Sequence, residues 1–203
     1  MSSFVQLFPT GDDREPPDET AQPAWLGPPE GEVGVATSLT VVVGRSEQAA
    51  VALAHATSFS TGVTLSFVAQ ARDLGPRTVQ TLFQEQHPYG PAAEDLPDGF
   101  LRLGVELPGG AKASNIGGRR LFVKDEPDEP VFVHRGGGSG SGGRDRLTMS
   151  HDYWVWPLPQ PGTIYVSCEW PLVGIPLSTV EVDGAALVEA ASRVVHLWPS
   201  PSA

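Results

Sequence analysis

With 203 residues, the chain is long enough for one domain of generous size or for a domain that carries a tail. Its formal net charge of −11 repels phosphate backbones, and no lysine or arginine stripe offsets that charge, so we expect no nucleic acid partner. The single cysteine, Cys168, excludes an intrachain disulfide, and no stretch approaches the roughly 20 apolar residues that span a bilayer. The N-terminus lacks a signal peptide pattern, and together these features predict a cytoplasmic protein without membrane partners.

Residues 1–34 are predicted to form a disordered, acidic, proline-rich arm. Residues 1–32 hold seven acidic side chains and a single basic one, Arg14. Such a composition buries too little apolar surface to offset the entropy cost of ordering the chain. Trp25 and Leu26 form an apolar exception that could dock on a groove of this domain or of a partner. The pattern favours an intramolecular contact or plain exposure for this pair, because short motifs in tails give many false positives.

Strand patterns begin after the arm. The β-branched run 38–43 and the segment 50–54 predict two strands, and residues 63–70 alternate apolar with polar side chains as in a half-buried strand. Residues 100–107 predict a further strand, and Pro108-Gly109-Gly110 predicts a hairpin turn after it. The segment between residues 72 and 98 has no regular pattern.

The second half of the chain continues the strand pattern and ends in a helix. Short apolar runs predict strands at 121–123, 131–133, 152–158, 163–170 and 178–182. The proline-containing turn at 159–162 predicts that the strands on either side of it are antiparallel neighbours. After Asp183, a plausible N-cap, helical spacing is shown by Leu187, Ala190, Ala191, Val194 and Val195.

These elements predict a mainly all-β fold, an antiparallel β-sandwich that is immunoglobulin-like in general architecture, with one C-terminal α-helix. Residues 35–199 are expected to form a single domain, and the Gly/Ser tract at 136–143 is expected to be a mobile loop inside it. Part of this tract matches GxGxxG. A dinucleotide site needs that motif between a strand and a helix, and the following RDRLTMSHDY has no helical apolar face, so no cofactor is predicted.

The five histidines show no metal-ligand spacing, and one cysteine cannot supply the usual zinc frameworks. We therefore predict no metal site. His151 and Asp152 are adjacent, so in a strand they face opposite sides and cannot act as a base and its orienting partner. No catalytic residue is assigned, and each histidine is expected to have an ordinary surface or hydrogen-bonding role.

The run Tyr153-Trp154-Val155-Trp156 is apolar on both faces of its predicted strand. One interpretation, which aromatic stripes favour, is a strand buried on both sides with its indole N–H groups bonded to loop carbonyls. The other is an aromatic platform for a ligand or partner, gated by the glycine-rich loop and a charged patch. The candidate surface then comprises Arg135, Arg144, Asp145, Arg146, His151, Asp152, Trp154 and Trp156.

The segment GGGSGSGGRDRLTMSHDYWVWPLPQPG, followed by CEWPLVGIPLSTVEVD and a short alanine-rich helix ending in LWP, resembles an uncharacterised family of high-GC, actinobacterial-type bacterial proteins. These proteins share a Gly-rich tract before YWVWPLPxPG. The resemblance covers most of residues 38–199. It implies that the Gly/Ser tract is native sequence, and it supplies no activity, substrate or catalytic residue.

The sequence thus predicts a non-enzymatic binding or protein-interaction module whose ligand and oligomeric state it does not specify. One alternative is a hydrolase-type enzyme whose site, including His151, Asp152 and Glu169, assembles only in three dimensions. Another is a structural subunit of a larger bacterial assembly, which predicts a specific stoichiometric partner.

Overall fold

The computed structural model describes residues 22–86, 96–117, 126–127 and 130–198, and within them the fold is mostly β, with antiparallel sheets. The strands are β1 (Glu32–Val33), β2 (Val35–Arg45), β3 (Ala49–Ser58), β4 (Val63–Ala71), β5 (Arg102–Glu106), β6 (Lys112–Ser114), β7 (Val131–Gly142), β8 (Leu147–Trp156), β9 (Thr163–Trp170), β10 (Ile175–Asp183) and β11 (Val195–His196). The helices are α1 (Pro76–Gln84) and α2 (Gly184–Ala191). Neither helix in the described ranges is long and apolar enough to cross a membrane.

The strands form two larger sheets and one short ribbon. Five strands run in the order β2-β3-β4-β8-β7, four in the order β10-β9-β5-β6, and β1 pairs with β11. One hydrophobic cluster draws on both larger sheets, including Leu65 and Val155 from the first and Val105 and Val166 from the second. The predicted alternation in β4 is confirmed, since its inward residues are buried and its pairing with β8 is unbroken from Val63↔Val155 to Ala71↔Leu147.

The prediction that 152–158 and 163–170 are antiparallel neighbours is wrong. Strand β8 pairs with β4 and β7, whereas β9 pairs with β5 and β10 in the other sheet. The connection at 157–162 contains Pro157, Pro159 and Pro161, which cannot donate ladder hydrogen bonds. A connection of that length and composition carries the chain from one sheet to the other.

The Gly/Ser tract is largely strand, where the sequence predicted a loop at 136–143. Strand β7 continues through Gly142, and a tight turn closed by the Gly143 N–H bonding to the Arg146 carbonyl, at 2.9 Å, leads into β8. The β7–β8 register shifts between His134 and Gly136 and again between Gly137 and Gly140. Glycine tolerates such irregular pairing because it lacks a Cβ.

The two helices differ in how well the sequence predicts them. The Asp183 carboxylate caps α2 by accepting from the Ala185 N–H at 2.9 Å, as predicted, but the helix ends at Ala191 and Val195 instead belongs to β11. Helix α1 falls in the segment without a regular pattern. It has no side-chain cap, so Pro76 at its first position is the start signal that remains, and it buries only Val79 and Leu82.

Residues 22–34, which the sequence assigns to the disordered arm, lie against the sheets. Strand β1 pairs with β11, and the Leu197 N–H bonds to the Gly31 carbonyl at 2.7 Å. The predicted strand at 121–123 and the first 21 residues of the arm lie outside the described ranges. The name arm is kept below for residues 22–34, the part of this segment that the structure describes.

A buried asparagine joins the two larger sheets. The Asn115 side chain accepts from the Leu103 N–H at 2.9 Å and donates to the Leu101 carbonyl at 2.8 Å. It also donates to the Tyr153 hydroxyl on β8 at 3.2 Å. Burial raises the pKa of Tyr153 to about 12, so the hydroxyl stays protonated and uncharged.

This bridge predicts unequal costs for two substitutions. Asn115→Ala leaves a buried N–H and a buried carbonyl unpaired, and we expect it to lower the free energy of unfolding by about 2 kcal/mol or more. Tyr153→Phe removes one hydroxyl and leaves the two backbone bonds of Asn115 intact, so we expect a loss of about 1 kcal/mol. Urea denaturation of both variants checks the order, and equal costs would contradict the bridging role.

Candidate functional site

The end of strand β8, residues 153–156, is apolar on both faces. Tyr153 and Val155 face the core, while Trp154 and Trp156 face the opposite side of the five-stranded sheet. Trp154 is nevertheless fully buried, with 0% of its surface exposed, and Trp156 is half-buried. Another part of the chain therefore covers this outer face.

The cover is a turn in the arm. The Leu26 N–H bonds to the Pro23 carbonyl at 2.9 Å and closes a β-turn whose central residues are Ala24 and Trp25. The indole N–H of Trp154 donates to the Ala24 carbonyl at 2.9 Å. The Trp25 ring meets the Trp156 ring edge-on, with 6.2 Å between centroids. The predicted bond from an indole N–H to a loop carbonyl is thus present at Trp154.

Arg135 holds the far end of the same turn. Its guanidinium donates to the Leu26 carbonyl at 2.7 Å. Gly27 lies directly beneath it, and a Cβ at Gly27 would come within 2.6 Å of the guanidinium carbon. Arg135 occupies the first register shift of the β7–β8 pair, between His134 and Gly136. A Cβ at position 27 would therefore require the guanidinium, the far end of a flexible side chain, to shift.

The hairpin between β3 and β4 completes the surface. Phe59 packs edge-on against Trp154, with 5.8 Å between centroids. Gly62 lies so close to Trp154 that a Cβ there would approach the indole to 2.5 Å. The Glu32 carboxylate accepts from the Ser60 hydroxyl at 2.6 Å and from the Ser60 N–H at 3.0 Å. We call the surface formed by Arg135, Trp154, Trp156 and the hairpin residues 59–62 the arm groove.

Three of the eight predicted surface residues, Arg135, Trp154 and Trp156, contact the arm, and Asp152 lies beside Trp154 on the same face of β8. The charged patch 144–146 lies in the turn before β8, and eight residues of strand put Arg146 about 26 Å from Trp154. At this distance the patch lies too far from Trp154 to provide the gating that the sequence predicted. Sequence reasoning did not predict that Ala24, Gly27 and the hairpin 59–62 belong to this surface. The one signal in the sequence was the apolar pair Trp25 and Leu26 within the acidic arm.

His151 and Asp152 point to opposite faces of β8, as their adjacency predicted. His151 faces the core, whereas the Asp152 carboxylate accepts from the Ser66 hydroxyl of β4 at 2.6 Å on the outer face. Glu169 lies on the outward side of β9 and pairs with Arg102 at 2.6 Å. These three side chains of the hydrolase alternative therefore face different surroundings.

A histidine pair lies on the core side of β7 and β8. His151 Nδ1 is 3.5 Å from His134 Nε2, and both rings pack around Tyr153. Burial lowers the pKa of His151 to about 4, with the neighbouring His134 adding to the effect and Asp152 opposing it. Burial lowers the pKa of His134 as well, and Asp152 opposes that shift. Both rings are therefore uncharged at neutral pH.

The remaining reactive groups offer little chemistry. Cys168 is buried, and burial raises the pKa of its thiol to about 11, which leaves it protonated and unreactive at neutral pH. Within the described ranges, no three His, Cys, Asp or Glu side chains gather closely enough to hold a metal ion. An open cleft of about 710 Å³ runs along the β2–β3 turn and the β7–β8 turn, where Arg146 lies 3.4 Å from Asp145.

Comparison of the chain with protein-family models, with curated proteins and with solved structures finds no match.

The histidine pair predicts a stability that depends on pH. An unfolded histidine titrates near 6.5 and folded His151 near 4, so below pH 6.5 the unfolded chain binds a proton that the folded chain does not. The free energy of unfolding should therefore fall as the pH drops from 6.5 to 4, by about 3 kcal/mol for His151 alone.

Denaturant titrations at several pH values measure this dependence. His151→Leu should flatten the stability profile between pH 6.5 and 4, whereas His55→Ala, at an exposed histidine of β3, should retain the wild-type slope. An unchanged slope in His151→Leu would show that this histidine is protonated as easily in the folded chain as in the unfolded one.

Proposed function

We propose that the chain is a non-enzymatic protein-interaction module and that the arm groove is its binding surface. One observation carries the proposal: the groove already holds a segment from outside the sheets through side-chain bonds to that segment's backbone. Trp154 donates to the Ala24 carbonyl at 2.9 Å, and Arg135 donates to the Leu26 carbonyl at 2.7 Å.

Such contacts are typical of peptide recognition. Donors aimed at backbone carbonyls hold a segment of the right shape, and an aromatic contact adds selectivity for its side chains. Tryptophan and arginine are also the residue types that dominate binding energy at protein interfaces. The groove combines both with a ring contact from Trp156.

Fold and location belong to the same proposal. We propose that the two larger sheets pack as a β-sandwich of immunoglobulin-like type, which is supported by their shared hydrophobic core and by the contact of β10 with β2. A cytoplasmic location is supported by the single buried cysteine, because the chain has no need of an oxidising compartment. We also propose membership of residues 38–199 in the high-GC bacterial family that the sequence resembles.

A structural subunit of a larger assembly is the second candidate. Supporting it is an exposed apolar patch on the ribbon of β1 and β11, where Val33 and Val195 pair and are 48% and 57% exposed. Leu197 and Trp198 follow at 54% and 72%. Apolar side chains gathered in this way are typical of surfaces that another protein covers.

Affinity capture from cells that produce the protein tests the first candidate. We expect the Trp25→Ala chain to capture at least as much of one stoichiometric partner as the wild type does, because this substitution loosens the arm from the groove. The double variant Trp25→Ala/Arg135→Ala should lose that partner, since it lacks the donor to the bound backbone. Arg144→Ala, which removes an exposed arginine from the β7–β8 turn, is the matched control.

Two outcomes would count against this function. Capture that does not depend on Arg135 would exclude the groove as the binding surface. Capture that instead fails in Val195→Ser/Leu197→Ser, with Arg135→Ala unaffected, would favour the structural subunit.

A further inference from the structure

We infer that the ligand of the arm groove is a proline-initiated β-turn of the form Pro-x-Trp-x-Gly in a partner protein. The inference rests on the proposed function and names the class of ligand for that surface. The turn Pro23 to Gly27 of the arm occupies the groove within the same chain and serves as the template.

The groove contacts the turn mainly through its backbone. The two carbonyls that accept from the groove, Ala24 and Leu26, flank Trp25. The Leu26 N–H is used inside the turn, where it bonds to the Pro23 carbonyl at 2.9 Å. A ligand must therefore form the turn to present both carbonyls in this arrangement, and proline limits the conformations from which it folds.

Two positions of the turn are selected by side-chain fit. The tryptophan position packs edge-on against Trp156, a contact that aliphatic side chains cannot reproduce. The glycine position lies beneath the Arg135 guanidinium, where a Cβ would come within 2.6 Å. Any side chain at that position requires the guanidinium to move from the place where it bonds to the preceding carbonyl.

The arm's own turn is held imperfectly, which allows exchange. Within the described part of the chain, the buried Trp25 Nε1 has no hydrogen-bond partner. An unpaired buried donor weakens the hold on the segment that carries it. The turn is otherwise held by two side-chain hydrogen bonds and one ring contact, which a competing turn of the same shape can replace.

A labelled peptide spanning residues 20–31, TAQPAWLGPPEG, tests the inference by fluorescence anisotropy with the full-length chain. We expect it to bind the Trp25→Ala chain at least about 10-fold more tightly than the wild type, because the wild-type arm competes at a high effective concentration. Alanine in place of the peptide's tryptophan should weaken binding by about 10-fold or more, and alanine in place of its first glycine should also weaken it.

Matched variants of the chain separate groove binding from nonspecific association. In the Trp25→Ala background, Arg135→Ala should weaken peptide binding by about 10-fold or more, and Arg144→Ala should leave it unchanged. Circular dichroism at the assay temperature verifies that each variant is folded.

Each remaining outcome overturns the inference in a different way. Absence of peptide binding, with an Arg135-dependent partner still captured from cells, would refute the ligand class and leave the interaction function standing. Absence of both would refute the groove as a binding surface. A wild-type dimer that light scattering detects and that Trp25→Ala abolishes would identify a second copy of this chain as the occupant and overturn the partner-protein assignment.

Discussion

The arrangement of the molecule depends on the end of strand β8, residues 153–156, which is apolar on both faces. Strand β8 places Tyr153 and Val155 in the core and Trp154 and Trp156 on the opposite side of the sheet. Leaving an indole exposed forgoes about 4–6 kcal/mol of burial free energy, so the second face needs a cover as much as the first. The arm covers this second face, and its contacts with Trp154 and Trp156 define the arm groove.

The arm is held on the sheet by a different kind of contact from those in the core, and this difference supports the proposed function. Core residues of β8 interlock with both sheets, whereas the arm is held by a few directed contacts and one ring pair. Directed bonds to backbone carbonyls select a chain shape, while close packing selects a unique set of side chains. A surface of the first kind can exchange one segment for another of the same shape, which is what an interaction module requires.

Much of the strand content could be predicted from local pattern, because alternation in β4 and the Pro-Gly-Gly turn report local geometry. The assignment of strands to sheets could not be predicted in this way. The proline-rich connection at 157–162 has the same local pattern whether it joins two paired strands or carries the chain from one sheet to the other. The candidate surface shows the same limit. The sequence predicts Arg135, Trp154 and Trp156 as surface residues, but their contacts with Leu26, Ala24 and Trp25 span more than a hundred residues. No local periodicity records contacts of that range.

The central claim is that the arm buries Trp154 and engages its indole N–H. Hydrogen exchange at the indole N–H groups, followed by ¹⁵N NMR, tests it directly because each of the five tryptophans gives its own signal. In the wild-type chain the Trp154 indole N–H should exchange slowly, and Trp25→Ala should accelerate it by about 10-fold or more while Trp170, bonded to the Gly99 carbonyl in the core, remains protected. Rapid exchange of the Trp154 indole N–H in the wild type, or no response to Trp25→Ala, would contradict the account.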